Sequence, residues 1–147
     1  LSATFMTKAS RAEEEANLEK CYELLRMVGL AGKEHILAKS LAYGQRRQLE
    51  IARALATEPR LLLLDEPAAG MSSAEINDLV ELIFKIRDLG ITIVFIEHRM
   101  PVVMTAADKI IVLNYGQRIA QGKAEEIQTN PEVIEAYLGT AYKRELV

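Results

Sequence analysis

Residues Leu61-Leu62-Leu63-Leu64 form an unbroken apolar run that stops at two adjacent carboxylates, Asp65 and Glu66, followed by Pro67. A short run that is apolar at every position does not suit a half-solvated strand. It reads as a strand buried on both faces, inside a mostly parallel sheet with helices on both sides. The carboxylates then fall at the carboxyl end of the strand, the edge at which open α/β sheets bind ligands. A carboxylate pair there suits a hydrated metal and an attacking water. Taken alone, the pair is equally compatible with a strand that ends in a solvated acidic turn.

A second apolar, β-branched run, Ile91-Thr92-Ile93-Val94-Phe95-Ile96, is followed at once by Glu97-His98. Between the two runs, Ile76, Leu79, Val80, Ile83 and Ile86 recur at helical spacing. Ser72 and Glu75 have capping-box spacing at the start of that segment, and Gly90 stops it. Strand, helix and strand joined by short connections form a right-handed crossover between parallel strands. His98 is thereby expected on the same sheet edge as Asp65 and Glu66, which makes it a candidate site residue as well as an ordinary surface histidine.

The third chemically informative segment, Leu41-Ala42-Tyr43-Gly44-Gln45-Arg46-Arg47-Gln48, opens a helix carrying Leu49, Ile51, Ala52, Leu55 and Ala56 and ending before Pro59. Gly44 sits where the helix opens, so outward-facing backbone amides at the positive end of the helix dipole form a possible anion site. A plain glycine turn before an Arg-rich amphipathic helix has the same sequence pattern.

In this order and spacing, the three segments closely resemble the ATP-binding cassette (ABC) ATPases. Leu41 to Gln45 is similar to the family's signature sequence, usually Leu-Ser-Gly-Gly-Gln. Leu61 to Glu66 resembles its Walker B strand with the catalytic glutamate, Ala69 to Ser72 its D-loop and His98 its switch histidine. Tyr43, the runs Gln48 to Ala56, Ala68 to Met71 and Ile96 to His98, and the tail Val133 to Gly139 resemble the ATPase subunits of bacterial branched-chain amino acid importers.

The resemblance implies an α/β fold of the P-loop NTPase type. Residues 1–57 would form a helical subdomain portion with the signature motif, and residues 58–147 the carboxyl-terminal part of the ATPase core, a parallel sheet with flanking helices and a carboxyl-terminal hairpin. It implies ATP and Mg²⁺ as ligands of the full cassette. Asp65 would hold the metal, Glu66 and His98 would be catalytic, and Leu41, Ala42, Tyr43, Gly44 and Gln45 would contact nucleotide. It further implies a second cassette stacked head to tail, membrane permease subunits, an extracytoplasmic binding protein, and a cytoplasmic place on the inner face of the cell membrane.

The phosphate loop of such enzymes reads Gly, four residues, Gly-Lys and then Ser or Thr, so that backbone amides, lysine and hydroxyl hold the phosphates and magnesium. No such string occurs in the 147 residues, whose Gly-Lys pairs are Gly32-Lys33 and Gly122-Lys123. The chain is therefore expected to be the carboxyl-terminal part of a cassette, inactive by itself. The alternative is a non-hydrolytic short paralogue that docks to a full cassette or permease. Two positions depart from the family pattern: Ala42 stands where the signature usually has serine, and Ser72 where the D-loop usually ends in Asp or Asn.

The remaining chain reads as ordinary globular sequence. Half of the residues are hydrophobic, and the formal charge of −3 argues against a nucleic-acid surface. The apolar runs fall short of a membrane span. Ser10 and Glu13 have capping-box spacing before a stripe of Leu18, Cys21, Tyr22, Leu25 and Val28 that ends at Gly29. Within that stripe Cys21 is expected to be a buried spacer, and Glu13-Glu14-Glu15 a favourable first helical turn. A third strand over 109–113 is expected to turn through Asn114-Tyr115-Gly116 into a hairpin with 117–121. Asn130, Pro131 and Gly139 bracket a last short helix. His35 reads as a loop residue, and Met100, Val102, Val103 and Met104 as core filler.

Overall fold

The computed structural model of the chain describes residues 8–138. It contains, in order, α1 (Lys8–Met27), α2 (Tyr43–Leu55), β1 (Leu61–Asp65), α3 (Ser73–Asp88), β2 (Thr92–Ile96), α4 (Met100–Ala106), β3 (Ile110–Asn114), β4 (Gln117–Gly122), α5 (Ala124–Thr129) and α6 (Pro131–Val133). The chain divides into two compact units, and the boundary falls between Ile96 and Glu97.

In the first unit, α1 ends where the sequence requires it. Gly29 adopts φ +78°, its amide donates to the Arg26 carbonyl at 3.1 Å, and the Leu30 amide reaches back to the Leu25 carbonyl at 2.7 Å. This is the Schellman arrangement, which needs a left-handed residue and so selects glycine. The start of α1 differs from expectation. Ser10 lies inside the helix and Glu13 to Glu15 beyond its first turn, because the helix-compatible residues before Arg11 extend it past the possible cap. Cys21 is exposed and Leu18 is 52% exposed, so only the carboxyl-terminal half of the apolar stripe, ending in buried Val28, reaches the core. The rest of α1 has too few described neighbours to bury it, although Lys20 reaches across the chain to an ion pair with Glu58.

β1 and β2 pair in parallel, with Leu61 opposite Thr92 and Asp65 opposite Ile96. The crossover helix α3 begins with the expected capping box. The Glu75 amide donates to Ser72 Oγ at 3.4 Å, and the Ser72 amide donates to Glu75 Oε2 at 2.8 Å. Its apolar stripe of Leu79, Val80, Leu82, Ile83 and Ile86 is buried, each side chain contributing about 1.5–3 kcal/mol. The expectation of strands covered on both faces does not hold among the described residues. Leu61, Leu63, Val94 and Ile96 are 51%, 68%, 51% and 65% exposed, while Leu62 on the opposite face of β1 is buried. The physical reason is that α3 packs against β2 from one side and no described element covers the other.

The second unit carries the hairpin. β3 and β4 are antiparallel, and the Tyr115-Gly116 connection has φ of +48° and +77°, the left-handed pair of a type I′ turn. A register shift between Val112 and Leu113 bends the ribbon. β3 does not extend the β1–β2 pair as a third parallel strand; the described residues form two separate two-stranded sheets. A two-residue connection lets β4 pair with β3 at little loop-closure cost. Val102, Val103, Ala106, Ile110, Val112, Ala120, Ile127 and Val133 form this unit's core. Asn130 caps α6 through Oδ1, which accepts from the Glu132 amide at 2.9 Å. A π-helical turn, Ile134–Leu138, continues the chain, and the Tyr137 hydroxyl donates to the Leu113 carbonyl. The expected stop at Gly139 lies outside the described residues.

Candidate functional site

The carboxylates are placed by the end of a strand. Asp65 is the last residue of β1, Glu66 follows it, and both are exposed. Glu66 has φ +45°, a left-handed conformation that costs a side-chain-bearing residue roughly 1–2 kcal/mol. Two backbone bonds hold it there: the Glu66 amide donates to the Ile96 carbonyl at 2.9 Å, and the Ala69 amide donates to the Glu66 carbonyl at 3.0 Å. A non-glycine residue in that region marks a backbone fixed by its surroundings, and such positions gather at functional sites.

The turn that follows, through Pro67, Ala68, Ala69, Gly70 and Met71, connects Glu66 to the cap of α3. Pro67, Ala68 and Met71 are buried, with Ala68 fully inaccessible. The turn is thus rooted in the core although its carboxylates are not.

α2 opens against this turn. Ala42 is its N-cap, with no side-chain acceptor to return the bond that its amide makes to Gln45 Oε1 at 3.3 Å. Only half of a capping box is present. The expectation of outward-facing amides at Gly44 needs correction: Gly44 is buried, and a Cβ there would collide with the carboxylate of Glu75, whose Cδ would lie 3.0 Å away. The chain's own anion stands at the positive end of α2. Hydrogen bonds from the Ser72 amide and hydroxyl hold the Glu75 carboxyl below its ordinary value. Arg47 flanks the helix start, with Nη1 donating to Glu50 Oε2 at 2.7 Å and Nη2 to the Tyr43 hydroxyl at 3.2 Å. Glu50, and then Tyr43, hold Arg47 above its ordinary value.

A groove of about 370 Å³ runs beside this helix start and α3. Its lining includes three carboxylates, Glu75, Asp78 and Glu81, against one lysine, Lys85, the wrong balance for a triphosphate.

His98 belongs to the second unit and is exposed. Its amide and that of Arg99 donate to Glu97 Oε2 at 3.2 and 3.3 Å, an acidic turn that leads into α4. Ile96, directly opposite Asp65, is the last residue before this turn in the sequence. Asp65, Glu66 and the segment Leu41 to Gln45 lie in one unit, and the backbone amide of His98 is held by Glu97 in the other.

Among the described residues no group of three or more His, Cys, Asp or Glu side chains could hold a metal. Asp65 and Glu66 are hard oxygen donors, and Mg²⁺ accepts one or two protein carboxylates with phosphate oxygens and water completing its shell. The donor set fits a metal brought with a nucleotide rather than a metal caged by this chain. Two residues of this neighbourhood escape a sequence reading. Glu75 was legible as a cap but not as the neighbour of Gly44, and Arg47 was legible as a cation but not as the partner of Tyr43; both contacts depend on tertiary packing.

Comparison with known proteins shows what the chain is similar to. A family model described as ABC transporter matches residues 2–69, and one described as branched-chain amino acid ATP-binding cassette transporter matches residues 117–143. The high-affinity branched-chain amino acid transport ATP-binding protein BraF of Pseudomonas aeruginosa is 46% identical over 142 residues, covering 96% of this chain and 56% of that protein. The chain belongs to the ATP-binding proteins of ABC transporters, of the branched-chain amino acid type. LivG of Escherichia coli K12, named for the same transport role, is 46% identical over 132 residues, 89% of this chain and 51% of its own length. The ADP conformation of MJ1267, an ATP-binding cassette of an ABC transporter, superimposes with a TM-score of 0.77 at 32% identity, over 84% of this chain and 50% of that one. CbiO1 of Clostridium perfringens, part of a transporter complex, gives 0.74 at 28% identity, over 91% and 52%. The chain spans about half the length of the curated relatives it matches. The mixed α/β cassette fold is confirmed by these superpositions, and no described helix is long and apolar enough to cross a membrane.

Proposed function

We propose that this chain supplies the water-activating part of an ABC cassette that hydrolyses ATP to drive uptake of a branched-chain amino acid. The observation that carries the reading is Glu66, a carboxylate held in left-handed backbone at the carboxyl end of a parallel strand, beside Asp65. Phosphoryl transfer to water needs charge neutralisation and a positioned nucleophile more than covalent chemistry. Glu66 is the base that orients the water and takes its proton, and its fixed backbone limits the reorganisation required. Asp65 is the magnesium-side carboxylate, the metal supplying neutralisation of phosphate charge when bound. His98 contacts the γ-phosphate. Leu41, Ala42, Tyr43, Gly44 and Gln45 serve the nucleotide of a second cassette stacked head to tail.

The partners in this reading are a second cassette, permease subunits in the membrane and, through them, an extracytoplasmic binding protein. The chain would work at the cytoplasmic face of the cell membrane, and nucleic acid has no part. The second reading is a non-hydrolytic short paralogue that docks to a full cassette or permease, in which the acidic groove beside α2 needs to hold no nucleotide.

The test is a chimera that joins the amino-terminal half of BraF to this chain. Steady-state Mg-ATP hydrolysis is expected, Glu66→Gln should nearly abolish it while ATP still binds, and His98→Ala should cut it severely. A folded, ATP-binding chimera with no turnover would favour the docking paralogue. Parent-rate hydrolysis by Glu66→Gln would refute the assigned base.

A further inference from the structure

Tyr43 occupies the signature-like segment at a position where the family motif has no side chain, and its ring lies on the turn that follows Glu66. A Cβ added at Gly70 would come within 3.0 Å of Tyr43 Cε1, so the ring rests in the space that glycine leaves. Gly70 has φ +71°, so backbone conformation and ring contact both select glycine there. Two guanidinium groups also lie against the ring, with Arg46 Cζ at 5.8 Å and Arg47 Cζ at 5.5 Å from its centroid, and Arg47 donates a hydrogen bond to its hydroxyl. Arg47 is itself tied to Glu50. The result is a braced aromatic lever from α2 onto a turn in which the Met71 amide donates to the Ala68 carbonyl and the Ala69 amide to the backbone carbonyl of the candidate base, Glu66.

We infer that Tyr43 is a positioning residue: through Gly70 it fixes the turn after β1 and so the placement of Glu66. Movement at the start of α2, where a nucleotide of the partner cassette would bind, is thereby transmitted within one chain to the residue that activates water. The consequence for turnover rests on the proposed hydrolytic reading; the mechanical coupling does not.

The ring is 43% exposed, so shortening it leaves the core intact. Hydrogen exchange on the 147-residue chain therefore tests the coupling directly. Tyr43→Ala should speed exchange of the Ala69 and Met71 amides by about tenfold, with α3 and the second half of α2 unchanged, and Tyr43→Phe, which keeps the ring, should stay close to the parent. Unaltered exchange in Tyr43→Ala, equal acceleration in Tyr43→Phe, or a uniform rise through α2 and α3 would each overturn the inference. In the BraF chimera, Tyr43→Ala should lower kcat by about tenfold, and Tyr43→Phe should restore it. Local loosening without a fall in kcat would overturn the link to Glu66. Failure of the base assignment itself would show separately, as undiminished turnover in Glu66→Gln.

Discussion

The amide of Glu66 donates to the carbonyl of Ile96 at 2.9 Å, so the first residue beyond β1 is held by the last residue of β2 while its own φ stands at +45°. A glycine would adopt that conformation without steric cost. Glu66→Gly should therefore raise the stability of the 147-residue chain by about 0.5–1 kcal/mol in urea unfolding, while abolishing turnover of the BraF chimera. A clear loss of stability would show that the Glu66 side chain, and not function, accounts for the residue.

The chain by itself should show no saturable binding of Mg-ATP at millimolar nucleotide. Asp65 and Glu66 offer oxygen donors to a metal, but the sequence lacks the phosphate loop whose amides and lysine would hold the triphosphate, and the groove beside α2 is acidic. Calorimetric titration decides this, and a discrete stoichiometry would contradict it.

Ala42→Ser should stabilise the chain by about 1 kcal/mol, because a hydroxyl at the N-cap can accept from the first turn of α2 and complete the box that Gln45 half-closes. Urea midpoints measure that effect. If the serine also reaches the γ-phosphate bound by a partner cassette, chimera turnover should rise several-fold, up to about tenfold for each 1.4 kcal/mol recovered at the transition state. Gain of stability without gain of rate would mean that the family's serine is replaced here only as a cap.

The cap of α3 gives a pH dependence with a definite sign. Hydrogen bonds from Ser72 lower the Glu75 pKa in the folded chain, so their stabilising contribution is present above the unfolded carboxylate value of about 4.3 and is lost as pH falls through the lower folded value. Glu75→Gln should flatten the acid limb of the stability profile relative to the parent. An unchanged acid limb would show that Glu75 does not contribute.

The local elements were legible because their causes are local. The Ser72–Glu75 box, the stop at Gly29 and the left-handed Tyr115-Gly116 turn all follow from residue chemistry over a few positions, and the parallel pairing of β1 with β2 follows from one crossover. The errors arose where burial was inferred from pattern alone. The Leu61-Leu62-Leu63-Leu64 run announces two apolar faces, but whether the second face is covered depends on neighbours that periodicity cannot specify. Cys21 failed for the same reason, since an apolar stripe shows which side of a helix could pack and not how far the packing extends. In the site, Asp65 and Glu66 were marked by their place at a strand end. The left-handed backbone of Glu66 and the carboxylate over Gly44 have no sequence signal, because each is imposed by a segment distant in the chain.

The face of the β1–β2 pair that no described element covers has a consequence for these 147 residues produced alone. Leu61, Leu63, Val94 and Ile96 present to water the kind of strip that holdase chaperones and quality-control proteases select, and hydrophobic association through it rises with concentration. A free chain would then persist for a time set by triage and not by its unfolding equilibrium. Its cellular half-life is thus a direct measure of how much of that face is covered.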